Sequence, residues 1–300
     1  MKFFEFGKEN NTTLMIFFGG GVCWKGEEKL VNALAKKYHV IVDAYDGYNP
    51  DEPEKEYEST EKEGIMAAEF IEKNLGGHLD IAYAISYGGY ILLDMLKHTQ
   101  ISVTTAIGDG MATFAYPNIK NEFLKKVSCT AFSLPCYLLF IKSGPLGRKI
   151  ISKAMGSRSD EEFDKLLYRD CTRKTFYNQD YCMIGYDVPF EAMRHTNFYI
   201  WHGDSSSIEN RLKKGVQSLK DKGYPFIWKE FKGFGHGGLT TDIDRLIKEL
   251  EEAHAHEVPK DINSNNNDNN VNVNDNDNND DDNVNTNRNN NNDNCNVNDN

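Results

Sequence analysis

The residues best suited to covalent chemistry are a serine and a histidine, each in a glycine-containing segment. Ser86 lies in Tyr83-Ala84-Ile85-Ser86-Tyr87-Gly88-Gly89, and His236 lies in Gly233-Phe234-Gly235-His236-Gly237-Gly238. A serine hydroxyl becomes an effective nucleophile when a nearby imidazole accepts its proton. The two segments therefore predict acyl transfer, provided that folding brings Ser86 and His236 together.

The pattern around Ser86 predicts a strand, a tight turn and a helix. The run 80–85 is apolar and residues 90–96 have helical spacing. A serine in this turn stands clear of the sheet, and the N–H groups that begin the next helix can stabilise an oxyanion. Small residues at Ala84 and Gly88 allow the strand and the helix to approach closely. The alternative is a simple connection, because such turns are common.

A second glycine-rich segment, Gly19-Gly20-Gly21, follows the apolar strand predicted for residues 14–18. Glycines permit backbone conformations that direct N–H groups inward, and they leave space for a substrate carbonyl. A plain strand-to-helix turn is the alternative interpretation. Phosphate binding is disfavoured because no Gly-Lys-Ser/Thr sequence follows the glycines.

The serine segment resembles the nucleophile elbow of the α/β-hydrolase superfamily, with Ala84 in place of the first glycine of G-x-S-x-G. The resemblance covers residues 1–256. It implies that Gly20, Gly21 and the N–H of Tyr87 form an oxyanion hole. It also implies that His236 is the general base, because members of the superfamily carry the base between the last strand and the last helix.

The resemblance further implies a carboxylate in the segment His202-Gly203-Asp204-Ser205-Ser206-Ser207-Ile208-Glu209. Its usual position, three residues after the glycine, is Ser206 here. Asp204 comes two residues earlier and Glu209 three residues later, so both remain candidates for the group that orients the histidine. Asp109 is a third candidate, although closing the turn Gly108-Asp109-Gly110 is its more ordinary role.

The order of Ser86, the acid and His236 along the chain matches the order in α/β-hydrolases. The resemblance thus implies a carboxylesterase-like serine hydrolase that cleaves a small to medium ester through an acyl-enzyme, without a metal or another cofactor. Two alternatives remain open. One is an inactive protein of the same fold that binds a ligand or partner, and the other is an amidase or peptidase.

The elements that must position these residues alternate between strand and helix, which predicts an α/β fold with a mostly parallel sheet and helices on both faces. Between about 111 and 194, two aromatic-rich segments and a charged helical segment occupy the place of a short link. This stretch is too long for a bare crossover, so we expect a helical cap. Thr240 or Thr241 is the predicted N-cap of the last helix.

Composition separates a body, residues 1–256, from an Asn- and Asp-rich tail, residues 257–300. From residue 262 onward the tail has eight Asp and one Arg, a net charge of −7 of the −12 of the whole chain. Its low content of aromatic and branched aliphatic residues predicts low-complexity disorder. The body is mildly acidic, and we therefore expect no basic field that would attract nucleic acid or anionic lipid.

Localisation is predicted from three further features of the sequence. The chain opens on an alternating strand pattern rather than on a signal peptide, and its longest apolar stretch, 131–141, is shorter than the roughly 20 residues of a membrane span. Six cysteines form no C-x-x-C pair, which favours free thiols. We expect a cytoplasmic protein without a membrane span, and the sequence does not indicate its oligomeric state.

Overall fold

One seven-stranded sheet forms the centre of the protein. The computed structural model describes residues 1–111 and 119–256. The strands are β1 (Lys2–Phe6), β2 (Thr13–Phe17), β3 (His39–Ala44), β4 (His78–Ile85), β5 (Ser102–Asp109), β6 (Asn197–Gly203) and β7 (Ile227–Phe231), in the spatial order β1-β3-β2-β4-β5-β6-β7. Only the β1–β3 pair is antiparallel among these strands. The predicted mostly parallel sheet is confirmed.

Ten helices accompany the strands in the described part of the chain. They are α1 (Glu28–Leu34), α2 (Thr60–Asn74), α3 (Gly88–Met95), α4 (Glu122–Phe140), α5 (Pro145–Met155), α6 (Asp160–Leu166), α7 (Arg173–Met183), α8 (Phe190–Met193), α9 (Ser207–Asp221) and α10 (Ile243–Ala255).

Helices cover both faces of the sheet, as predicted, because the strands are apolar on both sides. Along β2, Met15 and Phe17 belong to the core formed with α2, α3 and α9. Leu14 and Ile16 alternate with them and belong to the core formed with α1 and α10. Successive side chains of a strand point to opposite faces, so one short apolar strand anchors both layers.

Five helices, α4 to α8, lie between β5 and β6. The aromatic-rich segments of the sequence correspond to α4 and α5, whereas the sequence pattern missed α7. The interpretation of residues 111–194 as a cap stays a prediction, since 112–118 lie outside the described residues. The predicted disordered tail, 257–300, also lies outside them.

The N-cap prediction for the last helix is wrong. Helix α10 begins at Ile243, and the side chain of Asp242 accepts a hydrogen bond from the N–H of Arg245 at 3.1 Å. Thr240 and Thr241 lie in the preceding 3-10 turn, where their hydroxyls donate to the carbonyls of Gly237 and Gly238. The two threonine hydroxyls thus hydrogen-bond within the turn, and Asp242 is the N-cap of α10.

The sequence argument against a membrane span does not hold for α4. It considered only residues 131–141, but the helix continues back to Glu122 and reaches 19 residues. By length and composition alone, this is the one helix in the described ranges that could cross a membrane, and most of its residues are exposed.

Candidate active site

Ser86 occupies the turn between β4 and α3 in a conformation that side chains rarely adopt. Its φ is 53°, and it is the only non-glycine residue with a positive φ in the described part of the chain. Such a conformation costs roughly 1–2 kcal/mol. The N–H of Ser86 donates to the carbonyl of Asp109 at 2.8 Å, which fixes the turn against the end of β5.

Gly88 explains how the turn fits against the sheet. A Cβ at this position would lie 2.3 Å from the carbonyl oxygen of Phe17, a separation that only glycine avoids. Ala84, two residues before the serine, pairs with Phe17 of β2 and Gly108 of β5 within the sheet. An alanine is therefore accommodated at the first small position of the motif, whereas the second position requires glycine.

The loop between β7 and α10 carries His236. The N–H of His236 donates to the carbonyl of Met155 at 2.8 Å, at the end of α5. A Cβ on Gly235 would lie 2.4 Å from the backbone of Gly156, so the loop and α5 are in close contact. The left-handed Gly237 (φ 61°) completes the turn. His236 and Ser86 line the same cavity.

Glu209 is the carboxylate that contacts this histidine. Its Oε1 accepts a hydrogen bond from Nδ1 of His236 at 2.6 Å, and its side chain is fully buried. The hydroxyl of Ser206 accepts from the N–H of Glu209, which makes Ser206 the N-cap of α9 and places Glu209 in its first turn. Donation from Nδ1 leaves Nε2 of His236 free to accept a proton.

The other two acid candidates have different partners. Asp204 accepts a hydrogen bond from the N–H of Gly233 at 2.7 Å and thereby ties the acid loop to the histidine loop. Asp109 accepts from the hydroxyl of Tyr83 at 2.6 Å. The structure thus brings Glu209, rather than Asp204 or Asp109, into hydrogen-bond contact with the imidazole.

The pKa values of the buried carboxylates Glu209 and Asp109 are shifted in opposite directions. Burial raises the pKa of Glu209, but hydrogen bonds from His202 and His236 outweigh burial and lower it to about 2. Burial raises the pKa of Asp109 to about 6, although the hydroxyl of Tyr83 opposes the increase. Glu209 therefore stays ionised at neutral pH.

His202 is a functional candidate that sequence reasoning missed. Its Nδ1 lies 2.5 Å from Oε2 of Glu209, and its side chain is completely buried. Its Nε2 has no hydrogen-bond partner in the described part of the chain. One signal was available, because His202 is the last residue but one of β6, the strand that leads into the acid loop. That position puts it beside any carboxylate of the loop.

Gly110 was also missed. Its φ is 61°, and a Cβ there would lie 2.9 Å from both Oε1 of Glu209 and the ring of His236. The absence of a side chain at Gly110 allows the acid and the imidazole to meet. No signal in the sequence distinguishes this glycine from an ordinary turn residue.

Of the predicted oxyanion residues, Gly20 lines the cavity with Ser86, Tyr87 follows the serine in the chain, and Gly21 lies next to Gly20. Gly19 and Gly20 line the cavity with the serine, and a Cβ on Gly19 would lie 3.6 Å from that of Ser86. In residues 1–111 and 119–256, the N–H groups of Gly20, Gly21 and Tyr87 have no hydrogen-bond acceptor. Unpaired N–H groups at the edge of a cavity can bind an anionic oxygen.

The wall of the cavity is mostly apolar. It includes Phe18, Val22, Ile85, Phe140, Met155, Phe163, Leu166 and Leu167. Arg158, the one Lys or Arg among the described lining residues, donates to Glu27 and Thr240 at 2.7 and 2.6 Å. A second concavity, beside Tyr38 and His254, contains none of the predicted site residues.

Metal ligands are not grouped in the described part of the chain. Among residues 1–111 and 119–256, no cluster of three or more His, Cys, Asp or Glu side chains could hold a metal ion.

Comparison with known proteins gives similarity in structure but not in sequence. No protein-family model matches the chain, and no curated protein matches it significantly. An α/β-hydrolase family protein from Desulfitobacterium hafniense superposes with a TM-score of 0.61 at 19% identity, over 83% of this chain and 100% of that one. An esterase from a Rhodococcus species gives 0.61 at 18% identity, over 84% and 93%.

A thermophilic esterase from Thermogutta terrifontis gives a TM-score of 0.58 at 12% identity, over 84% of this chain and 93% of that one. At such identities the likeness concerns the fold alone. The protein therefore has the fold of the α/β-hydrolase superfamily.

Proposed function

We propose that the protein is a serine hydrolase that cleaves a carboxylic ester, or a related acyl bond, with Ser86, His236 and Glu209. The observation that carries the proposal is the left-handed Ser86 in a cavity shared with His236, whose Nδ1 lies 2.6 Å from a buried carboxylate. Backbone strain of this kind is concentrated at functional sites.

In the first step, Oγ of Ser86 attacks the carbonyl carbon of the ester while Nε2 of His236 accepts the hydroxyl proton. The ionised Glu209 stabilises the imidazolium and holds its Nδ1–H. His236 then gives the proton to the leaving alcohol as the C–O bond breaks, which leaves an acyl-serine. Water attacks this intermediate by the same steps and releases the carboxylic acid.

The negative charge that develops on the carbonyl oxygen requires donors that are already in position. The unpaired N–H group of Gly20, whose residue lines the cavity with Ser86, and that of Tyr87, the residue after the serine, support this role, and Gly21 is the third proposed donor. Each donor aimed at the oxyanion contributes on the order of 3 kcal/mol to stabilisation of the transition state.

The cavity wall supports an apolar acyl or aryl group on the substrate. Its lining is dominated by aliphatic and aromatic side chains. Arg158 does not favour an anionic substrate, because Glu27 neutralises it within an ion pair. Two structural neighbours, from Thermogutta terrifontis and a Rhodococcus species, are esterases, which supports an ester as the substrate.

A covalent probe tests the proposal directly. A fluorophosphonate should label the full-length protein at Ser86, identified by mass spectrometry of the modified peptide. Ser86→Ala should abolish both labelling and cleavage of short-chain p-nitrophenyl esters, whereas Ser205→Ala, at an exposed serine in the acid loop, should retain both. A folded protein that the probe does not label would instead be a binding protein of this fold.

Ester and amide substrates need a separate comparison. A matched pair with the same acyl group should be hydrolysed faster as the ester if the protein is an esterase. A faster amide reaction would assign it to the amidases or peptidases.

A further inference from the structure

The outer face of α4 is an exposed apolar stripe. Five residues at helical spacing share this face: Leu124, Val127, Ala131, Leu134 and Leu138. Leu124, Val127 and Leu138 are 50% or more exposed, and Phe123 beside them is 72% exposed. Residues that recur every three or four positions lie on one side of a helix. A folded protein normally buries such a stripe.

Helix α5 extends this apolar surface. It packs against α4, and its Leu146 and Ile150 are 74% and 52% exposed. We call the exposed apolar residues of α4 and α5 the outer surface. It is formed by two neighbouring helices rather than by a single fraying end.

The opposite side of α4 belongs to the body of the protein. Cys129 and Ser133 are buried there, and the thiol of Cys129 donates to the carbonyl of Tyr177 in α7. Phe140 at the end of α4 and Met155 at the end of α5 line the cavity that contains Ser86. The two helices therefore separate the candidate active site from the outer surface.

Positive charge is concentrated on the same segment. Residues 119–156 contain seven Lys or Arg and one Glu, a net charge of +6 in a chain whose total is −12. The sum over the whole chain hides this local excess.

Several of these cations remain available. Lys120 and Arg148 pair with Asp187 and Asp164. Lys126, Lys149 and Lys153 are exposed, and within the described ranges no carboxylate pairs with them. Lys149 and Lys153 follow Leu146 and Ile150 by three residues, which places these two lysines on the same side of α5 as the exposed apolar side chains.

We propose that the outer surface binds the interface of an anionic lipid bilayer, with its apolar side chains inserted among the acyl chains and Lys149 and Lys153 at the headgroups. This is the arrangement that amphipathic helices adopt at membrane surfaces. Each lysine near an anionic surface contributes about 1 kcal/mol. The interaction is peripheral, because spanning would pull α4 away from α7.

The charge distribution disfavours the other occupants of this surface. A second copy of the chain, placed face to face by two-fold symmetry, would bring the same lysines against each other. Nucleic acid would engage the lysines but would leave the apolar stripe exposed to water.

Vesicle co-sedimentation of the full-length protein tests this proposal. Binding to vesicles of phosphatidylcholine and phosphatidylserine should exceed binding to phosphatidylcholine alone and should weaken in high salt. Lys149→Glu with Lys153→Glu should weaken binding about thirtyfold or more. Leu146→Ser with Ile150→Ser should weaken it by at least about tenfold. These side chains are exposed, so the variants should fold, which circular dichroism verifies.

Matched controls lie elsewhere on the body. Ile65→Ser removes an exposed apolar side chain of α2, and Lys29→Glu with Lys36→Glu reverses two exposed lysines outside the surface. Both controls, and Ser86→Ala, should bind vesicles like the parent, which separates this proposal from the proposed hydrolase activity.

Three results would overturn the proposal. The first is a folded protein that does not bind anionic vesicles, and the second is vesicle binding that the surface variants leave unchanged. The third is a dimer, detected by light scattering, that Leu146→Ser with Ile150→Ser dissociates while vesicle binding is absent. Resistance of the bound protein to extraction by high salt and alkali would replace peripheral binding with insertion across the bilayer.

Discussion

The carboxylate of Glu209 accepts a hydrogen bond from Nδ1 of His202 at 2.5 Å, on the oxygen that His236 does not use. One buried acid thus holds two imidazoles, and only His236 lines the cavity. A carboxylate with both oxygens engaged has little freedom to rotate. His202 therefore fixes the direction in which Glu209 presents its other oxygen to His236.

Replacing Glu209 by Gln should reduce kcat for ester hydrolysis by on the order of 10³- to 10⁴-fold, because a neutral amide stabilises neither the imidazolium nor the required tautomer of His236. Asp204→Asn is the comparison, since asparagine keeps an oxygen that can accept from the N–H of Gly233. It should change kcat by less than about threefold. Equal losses in the two variants would contradict the assignment of Glu209.

His202→Phe should reduce the free energy of unfolding near pH 7 by about 1–2 kcal/mol, because it removes a hydrogen bond to a charged group. Because folding lowers the pKa of Glu209 from 4.5 to about 2, the ionised side chain stabilises the folded state fully above a pH of about 4.5. This stabilisation is lost as the pH falls toward 2. The deficit of the variant should therefore shrink at acidic pH.

Urea unfolding near pH 7 and pH 3.5 measures this change, with His202→Asn as the matched variant, because its side-chain amide can donate in place of Nδ1. Asn should recover part of the stability at pH 7. A deficit of the Phe variant that is the same at both pH values would show that packing, rather than the hydrogen bond, is responsible.

Asp109→Asn should stabilise the protein at alkaline pH. Burial raises the pKa of Asp109 to about 6, so the protonated form favours folding below about pH 3.8, and this advantage is lost as the pH rises through 6. Asparagine avoids the buried charge and can still accept from Tyr83. Its free energy of unfolding at pH 8 should exceed that of the parent by on the order of 1–3 kcal/mol, with no gain near pH 4.

Asp80→Asn is the control, because the pKa of Asp80 is lowered whereas that of Asp109 is raised. Burial raises the pKa of Asp80, but the N–H and hydroxyl of Thr13 outweigh burial and lower it. Asparagine should therefore destabilise the protein at pH 8, as measured by urea unfolding. A gain in both variants would mean that net charge, and not local burial, determines the result.

Gly88→Ala should lower the free energy of unfolding by about 2 kcal/mol or more, since the new methyl group would lie 2.3 Å from the carbonyl oxygen of Phe17. Gly144→Ala is the matched control, because its φ of −80° is ordinary and nothing lies within 4 Å of the added atom. It should change stability by less than about 0.5 kcal/mol. Thermal and urea unfolding of both variants test the difference.

Patterns along the chain predict most of the fold because the strands are short apolar runs between turns. The strand predicted for residues 14–18 is observed as β2, Thr13–Phe17. The turn at Ser86 was predictable because its local sequence is sufficient to specify strand, serine and helix. Helix α7 was missed because three of its buried residues, Thr175, Gln179 and Asp180, are polar, so the sequence shows no apolar stripe there.

The sequence could not show which carboxylate contacts His236, because that depends on the residue at which α9 begins. Ser206 caps the helix and turns Glu209 inward, whereas Asp204 precedes the cap and faces the histidine loop. Spacing from Gly203 alone does not reveal that change of direction. The roles assigned to Ser86, His236, Gly20, Gly21 and Tyr87 stay predictions until the proposed measurements are made, as does the cytoplasmic location.

The carbonyl of Met155 joins the end of α5 to the backbone of His236. The position of His236 therefore depends on the position of α5. The exposed side of this helix carries Leu146 and Ile150. A shift of α5 by a fraction of an ångström would carry the imidazole with it. One backbone hydrogen bond thus couples His236 to the helix that carries Leu146, the most exposed leucine among the described residues.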